Sequence, residues 1–168
     1  DQASFGFTWN INNQFLIASE VYYKWMRQLV DYKPGANLLL NENLENEFVF
    51  GKGSSYGSEI TFEKTAGKLR GWIGYTLAWT TRQFEAVNNG KMLYPRYDRR
   101  HELSVVASYP LAKRLTISGS WTYYTGNAVS LPTGRTIGID APGTLDNNTF
   151  FNLSPVYPER SNYRMPDY

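Results

Sequence analysis

The chain has 168 residues, enough for one domain with a core, and a net charge of +2, too weak for an extended nucleic-acid interface. It contains no Cys, which excludes a disulfide framework and cysteine-based zinc sites. Aromatic residues make up 16% (13 Tyr, 9 Phe, 5 Trp), yet mean hydropathy is −0.47; apolar side chains are therefore interleaved with polar ones, and none of the sequence offers the ~20 consecutive apolar residues of a membrane-spanning helix. Asp1 opens the sequence without a charged-then-apolar leader, so an export signal is expected to be removed or to lie outside it.

In chain order, period-two alternation predicts strands at 4–10, 14–24, 48–64, 69–82, 99–109 and 114–126. The clearest is 69–82, where Leu69, Gly71, Ile73, Tyr75, Leu77 and Trp79 share one parity. Arg70, Trp72, Gly74, Thr76, Ala78, Thr80 and Arg82 share the other, and alternate residues of a strand face opposite ways. The segment 114–126 repeats this, with Leu115, Ile117, Gly119, Trp121 and Tyr123 against Thr116, Ser118, Ser120, Thr122 and Tyr124. One face is greasy and the other mostly hydroxyl, as for a sheet between hydrocarbon and water.

The connections alternate too. Asn12-Asn13, Thr65-Ala66-Gly67-Lys68 and Pro110-Leu111-Ala112-Lys113 read as tight turns, whereas 25–47, 83–98 and the stretch from Asn127 onward read as long polar loops. Short turns at one end and long loops at the other match the periplasmic and exterior ends of an outer-membrane barrel. With that orientation, Phe15, Phe62 and Tyr109 lie on the lipid-facing parity at the periplasmic ends. Tyr23, Trp25, Trp79, Trp121 and Tyr123 lie on it at the outer ends, with aliphatic residues between, so the aromatics form two girdles. Glu20, Glu59, Glu63, Arg70, Arg82, Arg100 and Glu102 fall on the inward parity. Ser54 and Ser58 run against the pattern, sharing the outward parity of Tyr56 and Ile60.

The expected fold is all-β: a partial transmembrane antiparallel β-barrel, with residues 1–168 a fragment of the barrel domain. About six strands cannot close a membrane barrel, which needs ~8 or more. An open sheet in lipid would expose roughly five unpaired N–H and five unpaired C=O groups per edge, each costing several kcal/mol. Other polypeptide must complete the wall, and the stretch 127–168 reads as an exterior loop that stops as another strand should begin.

Several ordered motifs carry a family resemblance: Gly51-Lys52-Gly53-Ser54-Ser55-Tyr56-Gly57-Ser58-Glu59, then Lys64, Gly67, Gly71-Trp72, Tyr75-Thr76, Thr80 and Arg82. Tyr97-Asp98-Arg99-Arg100-His101 and Trp121-Thr122-Tyr123-Tyr124-Thr125-Gly126 complete the set. Over roughly residues 14–132 the chain resembles TonB-dependent outer-membrane receptors of the Bacteroidota (SusC-like) type, in the order of the last third of such barrels. The resemblance implies a barrel of about 22 strands, closed by an N-terminal plug absent from this chain. It implies uptake of a nutrient of undetermined identity with energy delivered by TonB, in the bacterial outer membrane. Some relatives carry a SusD-like lipoprotein lid.

In that setting the segment supplies wall and exterior loops, not catalysis, and no cofactor or metal is expected. Candidate substrate or lumen residues are Arg82, Arg96, Tyr97, Asp98, Arg100, Glu102, Tyr124 and Arg135. Asp98, Arg100 and Glu102 are expected to point to the lumen, Arg99 and His101 to the outer rim, where arginine and histidine could meet lipopolysaccharide phosphates. The plainer expectation is that the inward charges pair with neighbouring strands or the plug. His101 is the sole histidine; three residues from Asp98 on a strand, it should face the opposite side, which argues against an acid–base pair. Glu42, Glu45 and Glu47 could hold calcium but read better as a solvated acidic loop. Trp25, Arg96, Tyr97, Arg135, Phe150, Phe151 and Tyr157 are loop residues that could capture ligand or pack the loops together. The sequons at Asn147 and Asn152 would need a glycosylation pathway that this class does not predict. Two alternatives stand beside the receptor: a structural or adhesive outer-membrane barrel without a plug, and a soluble all-β sandwich or lipocalin-like binder.

Overall fold

A computed structural model describes residues 1–36, 39, 41–138, 152–156, 159–161 and 163–168. The fold is all-β, with no α-helix among the described residues. Six long strands, β1 (Gln2–Ile11), β2 (Phe15–Tyr32), β3 (Phe48–Lys64), β4 (Arg70–Phe84), β6 (His101–Ala112) and β7 (Leu115–Tyr124), form an antiparallel meander in that order. The two-residue β5 (Met92–Leu93) extends the sheet beside the far end of β4. Short ladders join β8 (Ala128–Val129) to β11 (Tyr163–Arg164), and β9 (Gly134–Gly138) to β10 (Asn152–Val156). The main sheet is not closed: β1 and β7 are its two edges.

Sequence periodicity locates the strands but misplaces several ends. β2 does not stop at residue 24; it runs to Tyr32, so the first eight residues assigned to a long loop are strand. A bulge between Met26 and Leu29, with Gln28 at φ 56°, inserts one extra residue opposite β3. The insertion reverses parity, which puts Met26 and Leu29 on one face and erases the alternation that marks a strand. At β6 the error has the other sign. Tyr97, Asp98, Arg99 and Arg100 precede the strand, which starts at His101 and runs through Pro110. Pro110 is tolerated because β4 pairs with β6 only as far as Ser108, leaving no ladder partner on that side.

Two glycines let backbones meet. A Cβ at Gly71 would collide with the carbonyl oxygen of Val106 across the β4–β6 pair, and one at Gly51 would enter the ring of Phe84. Phe84 can therefore lie over β3, where with Val87 and Leu93, flanked by Leu29 and Val49, it makes the small buried core of the long-loop end. That core is little cover for a sheet this large. The accessible surface is 12684 Å², about half as much again as the ~8,500 Å² expected of a folded monomer of 19.3 kDa.

Candidate functional site

Each strand contributes alternate residues to a face, and the register decides whether neighbouring strands agree. They do. One face collects Phe5, Phe7, Trp9 and Ile11 of β1, Phe15, Ile17, Val21 and Tyr23 of β2, and Tyr56, Ile60 and Phe62 of β3. It continues through Ile73, Tyr75, Leu77 and Trp79 of β4, Leu103, Val105, Ala107 and Tyr109 of β6, and Ile117, Trp121 and Tyr123 of β7. Many of these side chains are exposed, Phe5 by 73% and Trp121 by 57%. Such a continuous apolar area is far beyond the few hundred Å² normal for a soluble monomer.

The aromatics on this face lie along two lines. Tyr23, Tyr56 and Trp79 occupy one cross-strand row, their rings stacked at 5.9 and 5.5 Å. The row of Tyr123 runs through Leu103, Tyr75 and Ile60 to Ser19, four residues below Tyr23 on β2. A line from Tyr23 to Tyr123 thus drops about 13 Å along the strands over four spacings, about 19 Å, an inclination of roughly 35° to the rows. It crosses β4 at Leu77. The line from Phe15 to Tyr109 crosses β4 between Gly71 and Leu69. Perpendicular to the lines, the band between them is roughly 20 Å tall. Within it the six long strands place no Asp, Glu, Arg or Lys on this face. Lys64, with its ammonium 4.4 Å from the Phe15 ring, and His101, with Nδ1 2.8 Å from the Tyr75 hydroxyl, stand at the two borders. Ser54 does share this face, beyond the Tyr56 row, where its hydroxyl lies 3.1 Å from that of Thr81.

The opposite face is polar. One of its rows reads Gly6, Glu20, Glu59, Thr76, Glu102, Tyr124. Glu20 and Glu59 are directly opposed, a like-charge pair that destabilises an isolated sheet. No cation stands within ion-pair distance of Glu20, Glu59 or Glu102 among the described residues.

At the long-loop end, Asp98 is 2% exposed and organises a latch. Its Oδ1 accepts the Thr80 N–H at 2.7 Å, in the stretch of β4 between its pairings with β6 and β5. Its Oδ2 pairs with Arg100 Nε at 3.1 Å and Arg164 Nη2 at 2.5 Å. Arg164 also donates to the carbonyls of Asp98 and Gly126, and the Arg100 guanidinium lies 4.7 Å from the Tyr94 ring. The carboxylate expected to face the lumen is thus held inside the protein, and its partner Arg164 comes from the end of the chain, not from a neighbouring strand.

The other candidates scatter. Arg82 donates to the Tyr97 hydroxyl at 2.7 Å, while its Nε is buried with no partner among the described residues. Arg96 is exposed in a turn. Arg135 lies on the separate β9–β10 ladder, opposite Pro155. Arg99 does not reach the apolar rim: its guanidinium stacks 4.0 Å over Tyr124 on the polar face and its Nε donates to Asn127. Trp25 belongs to β2, not to a loop, and packs at 4.6 Å against Tyr23. Glu47 pairs with Lys33 at 3.1 Å. Phe150, Phe151, Tyr157 and the sequon at Asn147 lie outside the described residues.

Sequence reasoning missed the terminal segment. Arg160 bonds Asp31 and the Tyr32 carbonyl of β2, and Tyr124 and Tyr168 exchange two backbone hydrogen bonds on the β7 edge. The Tyr123 hydroxyl and the Gly126 N–H both donate to Asp167, holding its carboxyl below the ordinary aspartate value of 3.8. These partners lie 41 (Gly126–Asp167) to 129 (Asp31–Arg160, 160 − 31) residues apart, and no spacing rule announces them. Comparison with protein-family models, curated proteins and solved structures finds no match.

Proposed function

We propose that this chain is part of the wall and exterior loops of an outer-membrane β-barrel, within a TonB-dependent receptor for nutrient uptake. The observation that carries the barrel is the register-continuous apolar face between two oblique aromatic lines. Four properties agree with a membrane wall: a band of roughly 20 Å against the ~25 Å apolar belt of such barrels, inclinations of roughly 35° for the Tyr23–Tyr123 line and roughly 25° for the Phe15–Tyr109 line beside strand tilts of 35–45°, aromatic borders, and a charge-free interior. Part of the excess accessible surface is then area that hydrocarbon covers.

Water and other polypeptide meet the polar face. Further strands hydrogen-bond to the β1 and β7 edges, since open edges in lipid are prohibitive. The acidic row Glu20, Glu59 and Glu102 finds its counter-charge in whatever fills the lumen. Strands of 15 to 18 residues, as in β2, β3 and β4, exceed the 9–11 that cross the bilayer; the surplus stands outside as the mouth, braced by the Asp98 latch. The step from barrel to TonB-dependent receptor rests on the ordered sequence motifs. Its test is twofold: the protein should float with outer membranes and need detergent for release, and nutrient uptake by cells should fail equally on deleting this protein or TonB. Recovery in the soluble fraction would refute the barrel; uptake unaffected by loss of TonB would refute the receptor.

A further inference from the structure

The apolar face does not end at its aromatic border. Above Tyr23 a cleft of about 300 Å³ opens, lined by Trp25, Ser54 and Thr81 and by three cations, Arg27, Lys52 and Arg82, of which Arg82 already donates to the Tyr97 hydroxyl. Arg27 and Lys52 are exposed, and neither makes an ion pair or hydrogen bond among the described residues. The β2 bulge creates this arrangement. By inserting a residue opposite Lys52, it places Arg27 and Gln28 across from a single position of β3 and brings the two cations to one cleft. Glu85 shares the next cleft with Lys52 without forming an ion pair to it.

Depth decides what could meet these charges. On β3 the aromatic line passes between Tyr56 and Ser58, so Lys52 stands about five residues beyond it, roughly 13 Å along the membrane normal at a 35° tilt. The cleft therefore spans the headgroup layer. Long cationic side chains reach back toward such a layer while their stems cover apolar wall, and phosphate oxygens are their strongest partners.

We propose that Arg27 and Lys52 bind the headgroup phosphate of an outer-leaflet glycolipid whose acyl chains lie on the apolar face below Tyr23. This rests on the membrane-wall reading above. It also moves the expected phosphate contact from Arg99 and His101 to a different pair, since Arg99 stacks on the polar face.

The test uses the intact protein that carries this chain, in nanodiscs, titrated with bisphosphorylated lipid A and with its dephosphorylated form. Wild type should bind the phosphorylated form at least tenfold tighter. Arg27→Gln with Lys52→Gln should remove that preference, a loss of about fivefold per cation and roughly twentyfold for the pair. Lys113→Gln with Arg114→Gln, at the short-turn end, should leave it intact. An unchanged preference in the Arg27/Lys52 variant, or none in wild type, overturns the proposal. Competition by inorganic phosphate at equal concentration overturns the lipid source, reassigning the cleft to free anions. Failure of wild type to enter the bilayer is a separate result, and it sinks the membrane-wall reading instead.

Discussion

Ile73→Arg places a charge near the centre of the apolar band, in the row that holds Trp9, Ile17, Phe62, Val105 and Trp121. On β4 the two aromatic lines cross at Leu77 and between Gly71 and Leu69, which leaves Ile73 about as far from either border as a residue can be. An arginine at bilayer mid-depth on a barrel's outer face costs about 2–4 kcal/mol, or about 30- to 900-fold in the folding equilibrium. Ser118→Arg, on the polar face of β7, loses only the hydroxyl bond to Ser108, worth about 1 kcal/mol. Urea unfolding of the protein in lipid vesicles, read alongside heat-modifiable migration on gels, measures both. Ile117→Arg, paired with Tyr109 at the border of the band, should cost only about 0–1 kcal/mol, the depth dependence expected of a membrane wall. Equal stability of the Ile73 and Ser118 variants, or a larger loss at Ser118, refutes the face assignment.

Asp98→Ala leaves Arg100 and Arg164 without their shared carboxylate and the Thr80 N–H without its acceptor. Breaking a buried ion pair from one side costs about 3–5 kcal/mol; the loss should appear as faster hydrogen exchange at Thr80 and easier proteolysis of residues 85–100, with the membrane band still protected. Tyr56→Ala removes the middle ring of the Tyr23–Tyr56–Trp79 stack and should cost about 1–3 kcal/mol in the same urea assay, whereas Tyr56→Phe should stay within about 0.5 kcal/mol of wild type. Asp167 has a depressed carboxyl pKa, because Tyr123 and Gly126 donate to its ionised form. Its stabilising effect on the terminal segment is therefore complete above the ordinary value near 3.8 and is lost as pH falls through the folded one. The protection of the Gly126 amide relative to its intrinsic exchange rate should fall in acid, and Asp167→Asn should show that lower protection already at neutral pH.

The strands and their two faces were legible in the sequence because both are local: Leu69 to Trp79 and Leu115 to Tyr123 alternate without interruption. The far third of β2 was hidden by the same rule, since one inserted residue at Gln28 reverses the alternation that the rule reads. Pro110 looked like a turn because the sequence does not show that β4 has already ended beside it. The latch was beyond reach for a different reason. Asp98 and Arg164 are 66 residues apart, and charges in loops carry no period. Strand alternation assigns Arg99 and Arg100 to opposite sides only when it is extended into residues that are not strand. The stagger of the aromatic lines, which supplies the tilt, needed the register between strands as well as the pattern within each.

The five tryptophans offer the most direct test, because Trp9, Trp25, Trp79 and Trp121 share the apolar face and Trp72 alone occupies the polar one. In single-tryptophan versions of the protein reconstituted in bilayers with brominated acyl chains, Trp9 and Trp121 should be strongly quenched and Trp72 should keep its emission. Quenching of Trp72 as strong as that of Trp121, or of neither, would contradict a wall with hydrocarbon on one side and water on the other.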